Sequence, residues 1–181
     1  MLTSFYSNQE LALIGFKSIG SKVLISRKAS IYSPEEISIG NNVRIDDFCI
    51  LSGDITIGSH VHISAYSALY GQFGIKMEDY TGLSPRCTVF SAMDDFSGEY
   101  LIGPMVEKTK TNLTGGLVHI KKYSQIGAGC VIFPNIIIEE GVAVGAMSLV
   151  NKNLKAWTIY SGIPARMIKK RENKLLLKVD K

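Results

Sequence analysis

One branched aliphatic residue recurs at every sixth position over most of this chain. From Ile19 the steps reach Ile25 and Ile31; from Ile39 they reach Ile45, Leu51, Ile57, Ile63, Leu69 and Ile75. Leu83 and Val89 keep the spacing, and a last run goes through Ile120, Ile126, Ile132, Ile138, Val144 and Val150. Ala156, the next step, is the one exception among 19 positions, where composition alone would fill about five. A period of six is neither the 3.6 of an amphipathic helix nor the two of an alternating strand. It predicts a solenoid.

Gly follows the aliphatic at Gly20, Gly40, Gly58, Gly127 and Gly145, and 18 residues separate Gly40 from Gly58 and Gly127 from Gly145. Three six-residue units therefore make one triangular coil with three short strands. Each strand stacks on the coil below at about 4.8 Å, with the sixth-position aliphatic pointing into the prism. The corners need φ > 0 or small side chains, which suits Gly20, Gly40, Asn41, Gly58 and Gly145. No coil alone can bury its apolar face, so stability comes from stacked neighbours. The expected architecture is an all-β solenoid over residues 19–161, with about six coils.

Caps close both ends. Residues 1–18 read as a short helical cap, with Ser7 as N-cap, Glu10 completing a capping box, Tyr6 and Leu11 as staple and Gly15 as terminator. Residues 162–181 read as a C-terminal helix and tail, with Pro164 in its first turn.

Charge and cysteine narrow the setting. A formal charge of +4 over 181 residues gives no case for nucleic acid. Arg166, Lys169, Lys170, Arg171, Lys174, Lys178 and Lys181 crowd the C-terminus, either to meet a phosphorylated ligand or as a solvated face. Cys49, Cys87 and Cys130 form an odd, unclustered set without metal-type spacing, which suits reduced thiols in a cytoplasmic protein. No stretch reads as a signal peptide or membrane span, so the Asn112-Leu113-Thr114 sequon is discounted.

Between Val89 and Ile120 the period vanishes. Residues 91–117 form a long polar excursion interrupted by Pro104, and such loops on rigid scaffolds carry function more often than not. The loop has no His; it has Asp94 and Asp95. Either carboxylate is a candidate proton acceptor if burial raises its pKa, and either also suits a plain loop cap. Only three histidines exist. His62 precedes an inward Ile and faces outward, as a candidate site residue or an ordinary surface His. His119 is the weaker candidate, and the pair His60 and His62 with one remote His is poor zinc spacing.

The pattern Ile39-Gly40-Asn41-Asn42-Val43-Arg44 resembles the hexapeptide-repeat acyltransferases, and the likeness extends over residues 19–170. That resemblance implies a left-handed parallel β-helix assembled as a homotrimer, with acetyl-CoA clefts between subunits and no metal. Gly162-Ile-Pro-Ala-Arg166 resembles the family's closing motif, and Gly145-Ala-Met-Ser148 its Gly-Ala-Gly-Ser coil with Met147 in the third place. By that resemblance Gly127, Ala128, Gly145, Ala146, Ser148, Lys152, Pro164, Ala165, Arg166 and Lys169 are the expected coenzyme A contacts. Residues 28–53 together with Asp94-Asp-Phe-Ser-Gly98 resemble one branch, which acts in bacterial surface-polysaccharide synthesis. The implied activity is N-acetylation of a dTDP-linked amino-dideoxy sugar by direct attack, with Asp94, Asp95 and His62 as catalytic candidates. Tyr66, Tyr70 and Phe96 are the candidate substrate contacts. Three alternatives stand beside it: a sugar O-acetyltransferase, a zinc-dependent hydratase resembling carbonic anhydrase, and a scaffold without catalysis. A hydroxyl needs a stronger base than an ammonium, so a loop without His favours the amine.

Overall fold

A computed structural model describes residues 4–179. The aliphatic period becomes three columns inside a triangular prism. Ile19, Ile39, Ile57, Met77, Ile120, Ile138 and Leu154 stack in parallel register along one wall. Ile25, Ile45, Ile63, Leu83, Ile126, Val144 and Tyr160 line the second. Ile31, Leu51, Leu69, Val89, Ile132 and Val150 line the third. Apart from Ile19 and Ile31 near the open end, every one of these side chains is buried. Each buried aliphatic contributes about 1.5–3 kcal/mol, and each does so only because a like residue lies above and below it.

Departures from the period have physical causes. The strand Ala68–Met77 needs eight residues from Leu69 to Met77, where Ile50–Ile57 needs six from Leu51 to Ile57, because its register shifts at Gly71. Ile75, the sixth-position residue, stays buried but stacks on Ile55; Met77 takes the column. At the far end Leu154 bridges to Ile138, so the exposed Ala156 is no gap in the core. Leu154 and Tyr160 add a coil that the spacing hides, and the stack has about seven turns where the repeat predicts six.

The glycines act by absence of bulk. A Cβ on Gly20 would stand 2.5 Å from the Gly40 carbonyl oxygen, and one on Gly40 would stand 2.7 Å from the Gly58 carbonyl carbon. The left-handed corner positions fall elsewhere, on Asn42 (φ 55°), His60 (φ 59°) and Tyr80 (φ 57°) among others.

The N-terminal helix runs Asn8–Ile14, with the Ser7–Glu10 capping box formed and Gly15 left-handed at its end. The C-terminal helix is not formed. Thr158–Ser161 turns back through Gly162 to Ala165 into the strand Arg166–Lys170, paired antiparallel, and a 3-10 turn follows at Lys174–Lys178. A sheet edge left bare by the last coil takes up this segment in preference to a free helix. Pro164 accordingly lies in the turn ahead of a strand; Lys181 lies outside the described residues. No helix among the described residues is long and apolar enough to cross a membrane.

Candidate active site

The coil geometry sorts outward side chains into columns as strictly as inward ones. The residue after each aliphatic of the third wall faces out, which gives Tyr32, Ser52, Tyr70, Phe90 and Phe133 in successive coils. Tyr70 and Phe90 stack with centroids 5.4 Å apart. The excursion leaves the prism beside them, and its base is a short antiparallel ladder, Ala92–Asp94 against Leu113–Gly115. Ser91, fully buried, anchors that ladder: its hydroxyl donates to the Tyr70 carbonyl at 3.0 Å and accepts from the Phe73 amide at 2.8 Å. Gly115 leaves no room for a Cβ between the Ser91 carbonyl and the Phe73 ring, so the return strand lies close against the prism.

Wall and loop enclose a cavity of about 710 Å3. Tyr70, Phe90 and Phe133 form one side, Met93, Asp94 and Phe96 the loop side, and Ser33, Glu36 and Ser52 the lower rim. Of the candidates named from sequence, the cavity thus brings together Asp94, Tyr70 and Phe96. Neither Lys, Arg nor His lines it.

The remaining candidates lie apart from it. Asp95 adjoins Asp94 in sequence but is spent on the loop: its carboxylate accepts from the Ser97 amide at 2.7 Å and from Asn112 Nδ2 at 2.8 Å. Hydrogen bonds from Ser97 first and Asn112 second hold its carboxyl below the usual range, the opposite of what a base requires. His62 sits on the second wall, its Nε2 2.8 Å from Asp46, whose other oxygen accepts from Arg44 at 2.7 Å. Burial works to raise the Asp46 pKa, and the Arg44 and His62 hydrogen bonds outweigh it. Tyr66 stands at a corner, stacked on Phe48 at 5.0 Å, and lines a separate depression of about 440 Å3 with Arg44 and Asp46. His119 pairs with Glu78 at 2.8 Å and His60 stacks on Tyr80. Among the described residues no group of three or more His, Cys, Asp or Glu is placed to hold a metal.

The expected coenzyme A residues divide. Gly127–Ala128 and Gly145–Ala146 occupy the same corner of successive coils, where the Met147 amide donates to the Ala128 carbonyl at 2.8 Å. A Cβ on Gly127 would stand 2.5 Å from the Ala146 amide nitrogen, so this surface is narrow and bare. Lys152, Arg166 and Lys169 are exposed and lack carboxylate partners among the described residues. Ser148 and Ala165 are buried: the Ser148 hydroxyl donates to the Gly145 carbonyl at 2.7 Å and accepts from the Gly162 amide at 3.0 Å, so it serves the fold. Phe133 and Glu36 escape a reading of the sequence. Phe133 follows Ile132 as Phe90 follows Val89, so a scan of outward columns would have found it; Glu36 carries no such signal.

Residues 36–71 match the family model described as bacterial transferase hexapeptide (six repeats). A dTDP-4-amino-4,6-dideoxy-D-glucose acyltransferase of Escherichia coli is 44% identical over 170 residues, covering 92% of this chain and 88% of that protein. AntD, an N-acyltransferase from Bacillus cereus solved with dTDP and 3-hydroxybutyryl-CoA, superimposes with a TM-score of 0.96 at 56% identity, covering 99% of this chain and 96% of the other. A serine variant of that enzyme, solved with dTDP-4-amino-4,6-dideoxyglucose and coenzyme A, gives the same score at 55% identity over 99% of this chain and 97% of that one. This chain is therefore a left-handed β-helix acyltransferase of the hexapeptide-repeat family, in the branch that holds the dTDP-4-amino-4,6-dideoxyglucose acyltransferases.

Proposed function

We propose that the protein transfers a short acyl group from acyl-CoA to the amino group of a dTDP-linked amino-dideoxy sugar, working in the cytoplasm as a homotrimer. The observation that carries this reading is the placement of Asp94 in an aromatic-walled cavity that has no competing cation. A sugar amine arrives as an ammonium, which a carboxylate both attracts and deprotonates. Asp94 takes that proton, directly or through one water, and the freed nitrogen attacks the thioester carbonyl. The tetrahedral intermediate collapses with cleavage of the C–S bond, the nitrogen gives its second proton to the departing sulfur so that amide and free coenzyme A thiol form, and Asp94 returns the first proton to solvent. No acyl-enzyme is needed, and no cysteine is available for one, since Cys49, Cys87 and Cys130 are all buried in the prism.

Alignment of the two substrates supplies much of the remaining acceleration. In this reading the pantetheine arm lies along the bare corner at Gly127 and Gly145, and the exposed Arg166, Lys169 and Lys152 meet the phosphates of coenzyme A. Similarity to an enzyme solved with 3-hydroxybutyryl-CoA extends the acyl group beyond the acetyl that the sequence suggests. His62, tied to Asp46 on another wall, lies apart from Asp94 within the chain.

The test is product mass spectrometry. Incubation with dTDP-4-amino-4,6-dideoxyglucose and acetyl-CoA or 3-hydroxybutyryl-CoA should yield the amide, with release of free thiol. Acylation of galactoside hydroxyls in place of the amine would replace this reading by O-acyl transfer.

A further inference from the structure

We propose that Ser91 is a positioning residue for the reaction: its buried hydroxyl sets the place of Asp94 against the cavity floor, although Ser91 does not line the cavity. The inference rests on the reading of Asp94 as proton acceptor and adds what holds that carboxylate where it works. Asp94 stands at the end of a strand that belongs to no coil. The strand Ala92–Asp94 pairs only with Leu113–Gly115, in the register Ala92 with Gly115, Met93 with Thr114 and Asp94 with Leu113. Two strands alone are marginally stable, so what fixes their base fixes the carboxylate. Among the described residues Ser91 and Gly116 supply the hydrogen bonds between this ladder and the prism.

Ser91 meets a defect in the wall. Gly71 and Ile75 pair with Gly53 and Ile55, so the strand Ala68–Met77 takes four steps where its neighbour takes two. On its other side Thr88–Phe90 pairs as far as Tyr70 and Val118–Ile120 resumes at Ile75, which leaves the stretch between them without a covering strand. Ser91 fills that gap. Its amide and its hydroxyl each donate to the Tyr70 carbonyl at 3.0 Å, and the Phe73 amide donates to the hydroxyl at 2.8 Å. Its own carbonyl accepts from the Gly116 amide at 2.9 Å, where the excursion returns. One residue therefore ties the cavity floor at Tyr70, Gly71 and Gln72 to both ends of the loop that carries Asp94.

The lever is long enough to matter. Asp94 lies three residues on from Ser91, about 10 Å away at strand rise. A tilt of about six degrees at the base then moves the carboxylate by about 1 Å. A misplacement of that size costs about 10²-fold in rate. Removing the Ser91 hydroxyl takes the partner from the Phe73 amide and draws the bulge toward water. A Cβ on Gly115 would stand 2.7 Å from the Phe73 ring, so a shift of Phe73 passes directly to the return strand.

The test is a double-mutant cycle read by steady-state kinetics, with dTDP-4-amino-4,6-dideoxyglucose and acetyl-CoA as substrates. Ser91→Ala should lower kcat by about 10- to 10²-fold, with both KM values within about twofold of wild type. Added to Asp94→Asn, the same substitution should lower kcat by less than about twofold more, because a displaced Asn has no proton transfer to lose. Ser124→Ala controls for stability alone: that serine is also fully buried, and its hydroxyl donates to the Glu139 carbonyl at 2.9 Å away from the cavity. It should lower Tm as Ser91→Ala does and leave kcat within about twofold of wild type. Should Ser91→Ala not fold, Ser91→Cys keeps a weaker donor and acceptor and carries the same comparison. A wild-type kcat in folded Ser91→Ala overturns the assignment, as does an equal kcat loss in Ser124→Ala. So does an undiminished fold-loss in the Asp94→Asn background, which would show that Ser91 acts independently of Asp94. Full activity in Asp94→Asn by itself would instead overturn the proton-acceptor reading, and the positioning role with it.

Discussion

Trp157 packs against the bare α-carbon of Gly141: a Cβ at that position would stand 2.5 Å from the indole ring. Gly141 is the missing rung in an aromatic corner that runs His60, Tyr80, Tyr123 and Trp157, and its absence of bulk lets the Tyr123 and Trp157 centroids come within 6.4 Å. The Arg171 guanidinium clamps the same place, donating to the carbonyls of Tyr123 at 2.9 Å and Gly141 at 3.0 Å. Gly141 also has φ +67°, so a side chain there is strained as well as crowded. Gly141→Ala should destabilise the protein by about 1–3 kcal/mol. Thermal unfolding measures it, and an unaltered Tm would show that the last coil yields without cost.

The two neighbouring loop aspartates should separate kinetically. Asp94→Asn removes the proton acceptor from the cavity and should lower kcat by about 10²–10⁴. Asp95→Asn loses only a turn that Ser97 and Asn112 brace, so kcat should stay within a few-fold of wild type. Steady-state rates at saturating acyl-CoA and aminosugar nucleotide distinguish them. Equal losses would mean that the loop acts as a unit.

Acid should loosen the N-terminal cap first. Hydrogen bonds from Arg27, and then from Ser7, take the Glu10 carboxyl from its ordinary 4.5 to about 2. A folded-state pKa below the unfolded one gives stability that is complete above pH 4.5 and is lost as pH falls toward 2. Amide exchange over Asn8–Ile14 should therefore quicken across that window, and Glu10→Gln should exchange fast at every pH. Protection that ignores pH in the wild type would contradict the ion pair's role.

The three thiols should be silent in the native protein. Burial pushes the Cys87 thiol up to about 11, and its sulfur lies 3.1 Å from the Gly127 carbonyl oxygen as donor. Burial also raises Cys49 and Cys130. A thiol-specific chromogenic disulfide reagent should find no accessible thiol before denaturant is added and all three afterwards. Rapid native reaction would mean that the prism opens at neutral pH.

Much of the architecture was legible because one residue in six has a single possible destination. An aliphatic inside a narrow prism can only stack on its counterpart one coil away, so Ile45 and Ile63 announce their neighbours without any tertiary information. The capping box at Ser7 and Glu10 was readable for a similar reason, since both partners lie within one helical turn. Where the register changes length, as between Leu69 and Met77 or beyond Val150, periodicity loses count and the last coil disappears from view. The C-terminal strand was unreadable in principle. Arg166 to Lys170 has the residues of an exposed helix, and only the open edge at Thr158–Ser161 makes it a strand.

The site divides along the same line. The sequence alone determined the solenoid, the place where it is interrupted and the carboxylates carried by the interruption, because spacing within a repeat is a local property. It did not say that Asp94 opens into a cavity while Asp95 turns to Asn112, since that choice depends on how Leu113–Gly115 returns to pair with Ala92–Asp94. Nor did it bring Phe133 beside Phe90 across 43 residues, or Arg86 over Tyr66. Those proximities exist only once the coils are stacked, because the long gap between Val89 and Ile120 hides in the chain what parallel register restores in space.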